Sequence, residues 1–144
     1  MTKIKGKKLR MSQMYRDGAV IAVTPVKVVS VDNGDSSDLG ISVGDKVKVR
    51  GVSKGKGFQG VVKRHGFHGG PKTHGQKNRW RAPGSIGSTA PQHVFPGKRM
   101  AGRMGGDNVT VSNLKVVELD EKNKIVYLGG AVPGIPGGLI SVQK

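Results

Sequence analysis

The chain has 144 residues, no cysteine, and 25 Lys and Arg against nine Asp and Glu, giving a formal net charge of +16. The length predicts one domain. The absence of cysteine excludes disulfides, Cys-based zinc sites and thiol nucleophiles. The positive charge restricts the expected partners to polyanions. The longest apolar run near the start, residues 19–23, is too short to cross a membrane, and the basic opening has no apolar stretch behind it, so we expect neither a secretory signal nor a membrane partner.

Strand patterns dominate the rest of the chain. Pro25 divides an early β-branched stretch and predicts an interruption or an exposed edge there. Asn33-Gly34 predicts a turn, residues 120–123 a hairpin loop, and residues 129–138 an irregular crossover. The predicted strands, in chain order, are 19–23, 26–31, 46–50 (in which Val47 and Val49 share one face), 109–112, 114–119, 124–128 and 139–142.

Short strands separated by turn residues predict a mainly β fold, built as a small closed β-barrel. The strand pattern stops after residue 50 and resumes near residue 109. We therefore assign residues 1–50 and 107–144 to the barrel and residues 51–106 to a long, irregular basic insertion. Both ends of the insertion are anchored on folded structure, so we expect a long loop that is fixed at both ends rather than a free tail.

The window from residue 46 to residue 106 contains no acidic residue. It holds fourteen Lys and Arg residues, fourteen Gly, all four His, all three Phe and the single Trp. Positive charge of that length needs a long anion, aromatic rings can stack on nucleotide bases, and glycines let the backbone approach phosphate closely. The window therefore predicts a nucleic-acid-binding segment.

Trp80 lies in the most informative short segment, Lys77-Asn78-Arg79-Trp80-Arg81. Its indole ring can stack on an unpaired base while the two guanidinium groups reach phosphates. The alternative is that Trp80 belongs to the barrel core. Its polar and charged neighbours favour contact with a base or sugar.

Enzymatic interpretations lack necessary parts, so we expect no catalytic residue, no cofactor and no small-molecule substrate. The G-x-G-x-x-G pattern at 55–60 has no acidic residue near position 80, and the P-loop-like stretch at 70–75 has Gln76 where Lys is required. His65, His68 and His74 could form a metal site for a nucleic-acid enzyme. They have no carboxylate ligand nearby, and adjacent cations would oppose a metal, so we expect none.

Long stretches of the chain resemble the large-subunit ribosomal protein L3 family, of the bacterial type. The resemblance is specific from Val43 to the C-terminus and looser between Ala19 and Ser42. Residues 6–18 (GKKLRMSQMYRDG) are similar to the family's N-terminal stretch. The segments that carry the resemblance are VSKGKGFQGVVKRHGF at 52–67, THG at 73–75, RAPGSIG at 81–87 and VFPGKRMAGRMGGDNVTVSNLKVVELDEKNKIVYLGGAVPG at 94–134.

The resemblance implies a barrel like that of translation factors and an extension that runs through ribosomal RNA toward the peptidyl-transferase centre. It implies a structural ribosomal protein of the cytoplasm that acts early in assembly and has 23S-type RNA and neighbouring large-subunit proteins as partners. Nearest the catalytic RNA it places Gly84, Ser85, Ile86, Gly87 and Ser88. The residues we expect to bind RNA are Lys54, Lys56, Lys63, Arg64, His65, His68, Lys72, His74, Lys77, Arg79, Trp80, Arg81, His93, Lys98, Arg99 and Arg103.

The chain departs from the family in three ways. It is much shorter than usual bacterial members, in a region outside the basic insertion. Arg10 stands where the family commonly has Gly. Ser88 follows GSIG where many bacterial members have a Gln that is methylated in some, so we expect no such modification. The alternative function is a free-standing architectural nucleic-acid-binding protein.

Overall fold

The computed structural model describes residues 3–16, 18–31 and 39–144, so the turn predicted at Asn33-Gly34 lies outside the described residues. One short helix, α1, spans Val61–His65. The strands are β1 (Lys3–Lys8), β2 (Ser12–Arg16), β3 (Ala19–Val31), β4 (Lys46–Val52), β5 (Gly57–Gln59), β6 (Gly102–Met104), β7 (Asn108–Asp120), β8 (Ile125–Gly129) and β9 (Leu139–Gln143).

Six antiparallel strands close into a ring. The order β1-β9-β4-β7-β8-β3 is completed by pairing of β3 with β1, and β2 adds to the first half of β3 outside the ring. Register shifts between Lys5 and Gly6 and between Val116 and Glu118 mark irregularities of the kind that bend strands around a barrel. The prediction of a mainly β fold with a small closed barrel is confirmed.

The barrel core is made by the alternating inward residues of the ring strands. In β4 the burial alternates strictly, so that Val47 and Val49 are inside and Lys46, Lys48 and Arg50 are outside. This confirms the face predicted for this strand. The other fully buried side chains of the core include Ile4, Val26, Val116, Val126, Leu128 and Val142.

The interruption predicted at Pro25 is wrong, because β3 runs through it as one strand. Pro25 is in register with Tyr127 of β8, and its carbonyl accepts a hydrogen bond from the Leu9 amide at 2.9 Å. In an antiparallel strand the nitrogen and oxygen of one residue point to the same side. The missing N–H of Pro25 therefore faces the gap where the partner of β3 changes from β2 to β1, and the ladder to β8 loses no hydrogen bond.

The separate strands predicted at 109–112 and 114–119 are also one strand, β7. Asn113 has a φ of 60°, and the register with β4 shifts between Val47 and Val49 beside it. Asn adopts this left-handed conformation more readily than most residues, so the strand continues through a local irregularity. The predicted hairpin loop is confirmed: the Asp120 carboxylate accepts hydrogen bonds from the amide and the side chain of Asn123, at 3.1 and 2.8 Å.

Lys8 ends β1 inside the barrel wall, where only 9% of its surface is exposed. Its ammonium group donates to the carbonyl oxygens of Val132 at 2.7 Å and Gly134 at 2.8 Å, which lie in the irregular crossover between β8 and β9. Burial, and secondarily the charge of Lys54, lowers the pKa of Lys8 from its ordinary value. Lys8 therefore ties the crossover to the barrel.

The chain forms two compact units, Met1–Lys54 with Gly106–Lys144 and, separately, Gly55–Gly105. In the first unit the two points at which the chain leaves and re-enters are hydrogen-bonded. The Ser53 amide donates to the Asp107 carbonyl at 2.9 Å, and the Gly106 amide donates to the Ser53 carbonyl at 3.3 Å. The barrel strands β4 and β7 thus continue their pairing up to the base of the insertion.

Candidate nucleic-acid interface

The unit of residues 55–105 contains a small framework near its two ends. Strands β5 and β6 pair over three residues, and α1 follows β5 directly. The Arg64 guanidinium donates to the Met100 carbonyl at 2.7 Å, and Nε2 of His65 lies 3.0 Å from the same oxygen. A side chain on Gly102 would come within 2.7 Å of the Arg64 guanidinium. Gly102 therefore leaves room for the Arg64 guanidinium beside β6.

Trp80 is held in a glycine-lined turn. Its ring nitrogen donates to the Gln76 carbonyl at 2.7 Å, and its own carbonyl accepts a hydrogen bond from the Gly70 amide at 2.9 Å. Gly69 has a φ of 77°, and any Cβ there would collide with the Trp80 carbonyl. Trp80 is 46% exposed, outside the barrel core. The alternative that Trp80 is a core residue of the barrel is therefore wrong.

The segment 84–98 is exposed throughout. The Ser85 hydroxyl donates to the Gly87 carbonyl at 2.9 Å, which closes a tight turn beside Ile86, and the Ala90–Pro91 peptide is cis. The rings of His93 and Phe95 meet nearly edge to face, with centroids 5.4 Å apart. This loop presents backbone, hydroxyl groups and two rings rather than a dense set of charges.

A shallow cavity of about 620 Å³ lies within the same unit. Its wall includes the glycine turn that holds Trp80, the ring of Phe67 and the side chains of Arg79 and Arg99. No acidic residue occurs between positions 46 and 106, so cations in this wall have no carboxylate partner from their own segment. Guanidinium groups beside an aromatic ring suit a phosphate with an adjoining base.

The structure places most of the predicted RNA-binding side chains at the surface. All are exposed except Arg64 and His65, which are partly buried and bonded to the Met100 carbonyl. Lys54 belongs to the barrel unit and the others to the 55–105 unit. Arg64 and His65 therefore shape the segment, while the remaining cations are available to a partner.

The structure offers little to the enzymatic interpretations. A helix does follow the G-x-G-x-x-G pattern, but it has only five residues, and β5 pairs antiparallel with β6 rather than in a parallel βαβ unit. Across residues 3–16, 18–31 and 39–144, no group of three His, Asp or Glu side chains is placed to hold a metal ion. No helix in the described part of the chain is both long and apolar enough to cross a membrane.

Sequence reasoning missed the cations on the outer face of β1. Lys3, Lys5 and Lys7 alternate with buried Ile4, Gly6 and Lys8. The same alternation was recognised in β4, but β1 has only one β-branched residue, so it was not predicted as a strand. Its lysines at every second position were the sequence signal that could have identified β1 as a strand.

A small closed β-barrel with a long, acid-free and exposed insertion is an architecture suited to binding polyanions. Residues 37–131 match the sequence profile of the family Ribosomal protein L3. The chain belongs to this family, so the resemblance seen in its sequence is confirmed.

Several relatives are similar over most of the chain. The large ribosomal subunit protein uL3 of Herpetosiphon aurantiacus is 55% identical over 113 residues, which cover 77% of this chain and 53% of that relative. The uL3 protein of Chlorobium limicola is 56% identical over 105 residues, covering 70% of this chain and 50% of the relative. The uL3c protein of Gracilaria tenuistipitata var. liui is 41% identical over 152 residues, which cover 99% of this chain and 74% of that relative. The chain spans about half the length of the first two relatives.

Proposed function

We propose that this protein is a structural constituent of the large ribosomal subunit. In this proposal the barrel sits among large-subunit proteins, and residues 51–106 bind 23S-type ribosomal RNA and help to organise it early in assembly. The loop 84–88 reaches toward the peptidyl-transferase centre. The protein performs no chemistry and works in the cytoplasm as part of the ribosome.

The observation that carries the proposal is the insertion, residues 51–106, which contains no acidic residue and is exposed over most of its length. Binding of such a segment to RNA releases counterions from the phosphates, and this release favours association. Family membership supports RNA of the large subunit as the polyanion, because the relatives are named large ribosomal subunit proteins.

Sedimentation of a cell lysate through sucrose in high salt tests this function. We expect the protein to travel with the large subunit at about one copy per particle, since a protein interleaved with RNA resists salt that strips surface-bound proteins. Intact large subunits that sediment without the protein would overturn the proposal. Equal affinity of the free protein for duplex DNA would then favour the architectural DNA-binding alternative.

Trp80→Ala separates the RNA role of the insertion from its contribution to folding. Trp80 is exposed and lies outside the barrel unit, so we expect the melting temperature of the barrel to change little while incorporation into large subunits falls several-fold. Loss of a base stack costs about 1–3 kcal/mol. Tyr15→Ala is the control, because Tyr15 is an exposed ring on β2 of the barrel. Unchanged incorporation of the Trp80 variant would remove Trp80 from the interface.

A further inference from the structure

Strand β2 has one open edge. It extends the sheet beyond β3, and within the described part of the chain it pairs with β3 alone. The Ala22 carbonyl of β3 accepts a hydrogen bond from the Gly130 amide at 2.8 Å, so Ala22 turns its backbone groups away from β2. Gln13 is directly opposite Ala22 and therefore turns its own N–H and C=O away from β3. Tyr15, two residues further along, does the same.

The solvent-facing side of the β2–β3 hairpin is largely apolar. Met11 is 52% exposed, Tyr15 is 77% exposed and Val20 is 56% exposed. These side chains lie on one side of the sheet, because residues in a strand alternate sides and directly opposed residues share a side. A shallow cavity of about 460 Å³ lies over this side, and the residues that bound it are Met11, Ser12, Gln13, Val20 and Ala22.

The open edge lacks the usual protections against pairing with another strand. Sheets protect their edge strands with charged side chains, proline or bulges. Strand β2 contains no proline, and its register with β3 is unbroken. Its one charged residue, Arg16, donates a hydrogen bond to the Val117 carbonyl of its own barrel at 3.2 Å. A neutral edge with free hydrogen-bonding groups, beside an exposed apolar surface, is suited to strand addition.

We propose that two copies of this protein pair through β2 to form a symmetric dimer. In the antiparallel arrangement centred on Met14, Gln13 of each copy is directly opposite Tyr15 of the other. These two pairs exchange four backbone hydrogen bonds. The same surface serves both copies, so the contact closes at two subunits. The dimer is a state of the free protein and does not rest on the proposed ribosomal function, which needs one copy per particle.

This register brings the Tyr15 ring of each copy to the cavity of the other. Gln13 lines the cavity, and Tyr15 of the second copy is directly opposite Gln13 on the same side of the joined sheet. An aromatic side chain also reaches diagonal neighbours across strands, so Met11 of the first copy can cover part of the ring. Each copy thus supplies one ring and one cavity, and a second copy of β2 fits the surface that β2 itself presents.

Local charge permits this register, although each copy carries a net charge of +16. Arg16 of one copy is opposite Ser12 of the other, and Arg10 is opposite Gly18, so no two of these cations are directly opposed. The remaining repulsion is long-range and is screened beyond about 8 Å at physiological ionic strength. A specific interface needs about 1,000 Å² in total, of which two Tyr15 side chains supply about 300 Å². We therefore expect a weak dimer.

Sedimentation velocity of the purified full chain, freed of nucleic acid, tests for the dimer. Over about a hundredfold range of protein concentration, the average mass should rise from 15.2 kDa toward twice that value. The association should strengthen as salt is added, because salt screens the repulsion between the copies. Complexes bridged by residual RNA would instead weaken in salt. A monomer at every concentration and salt would overturn the proposal and leave the edge to a strand of another protein.

Two substitutions remove different parts of the contact. Gln13→Pro deletes the outward N–H of Gln13 but no hydrogen bond to β3, so the melting temperature of the barrel should change little. Tyr15→Ala removes the ring from the cavity. We expect each variant to weaken association at least about tenfold. Phe58→Ala is the matched control, because Phe58 is a 76% exposed ring of the 55–105 unit, and it should leave association unchanged. Full association of both β2 variants would contradict the proposed contact.

A single introduced cysteine tests the register, since the chain has none of its own. At the centre of the contact the two copies of Met14 form a non-hydrogen-bonded pair, with Cα atoms about 4.5 Å apart, which a disulfide can span. Met14→Cys should therefore give a disulfide-linked dimer under mild oxidation. Ser12→Cys, on the same side of the same strand, should not, because the two copies of residue 12 are about 14 Å apart. Equal linkage from both positions, or none from position 14, would show that this pairing is wrong.

Discussion

Two adjacent lysines show how position within a strand decides what a side chain does. Lys7 points outward from β1 into solvent, whereas Lys8 points inward and is almost fully covered. A buried ammonium group is costly unless its hydrogen bonds are satisfied. Lys8 meets this requirement with two carbonyl oxygens of the crossover, while Lys7 faces another lysine.

Lys8→Met should destabilise the barrel. The substitution leaves the carbonyl oxygens of Val132 and Gly134 without their donor, and an unsatisfied buried polar group costs about 1–3 kcal/mol. The free energy of unfolding, measured by urea denaturation with circular dichroism, gives the loss. Lys7→Met, one residue away, is the control and should cost nothing or stabilise slightly. Equal losses in the two variants would contradict the role assigned to Lys8.

Among the elements, β4 was predicted from sequence because β-branched residues mark its alternation, whereas β1 alternates as strictly but was not predicted. The two long strands with a compensated irregularity, β3 and β7, were each predicted as two strands. The faces of β4 and the hairpin at 120–123 followed from local patterns. The sequence pattern predicts strand boundaries at Pro25 and Asn113, yet both residues lie within long strands. Whether a proline interrupts a ladder depends on which neighbour its nitrogen faces, and that is decided by strands distant in sequence.

The β7–β8 hairpin gives the barrel one identifiable source of acid sensitivity. The hydrogen bonds from the Asn123 side chain and amide hold the pKa of Asp120 below its usual range. A carboxyl group whose pKa is depressed in the folded state stabilises the fold above its unfolded pKa, and this stabilisation is lost as the pH falls through the lower, folded value. Stability should therefore decline below about pH 4.

Asp120→Asn should flatten that acid decline. Melting temperatures recorded from about pH 6 to about pH 2 should fall less steeply in the variant than in the parent, because one of the responsible carboxyl groups is gone. Some decline should remain, since the pKa of Asp45 is also lowered, chiefly by its hydrogen bond with Lys144. Glu121→Gln removes the neighbouring carboxylate without touching Asn123 and serves as the control. If the Asp120→Asn variant shows the same dependence of melting temperature on pH as the parent, Asp120 is not a source of the acid sensitivity.

For the whole molecule, the chemistry of the candidate site could be predicted from sequence, but its geometry could not. The charge and composition of residues 46–106 are enough to predict a polyanionic partner. The use of Arg64 and His65 to hold the Met100 carbonyl was not foreseeable, because it joins residues 35 and 36 positions apart. The neighbouring positions of β1 and β4 were missed for a similar reason: only the closed ring brings these two strands to either side of β9.

The hydrogen bonds between Ser53, Gly106 and Asp107 have a consequence for folding kinetics. Val52 and Asn108 are paired neighbours, although the entire insertion separates them in sequence. The barrel must close this long loop before β4 and β7 can pair, and such distant contacts slow folding. Replacing residues 55–105 with Asn-Gly would bring the two strands together through a short turn.

We expect that shortened chain to form the same barrel and to refold faster than the full chain, as measured by stopped-flow fluorescence of a tryptophan introduced at Tyr127. Failure to fold would show that the barrel depends on residues 55–105. In the cell, the full chain would complete its barrel only after residues 55–105 have left the translating ribosome. The basic segment is thus synthesised before the strands that close its base, and it can meet an anionic partner while the barrel is still open.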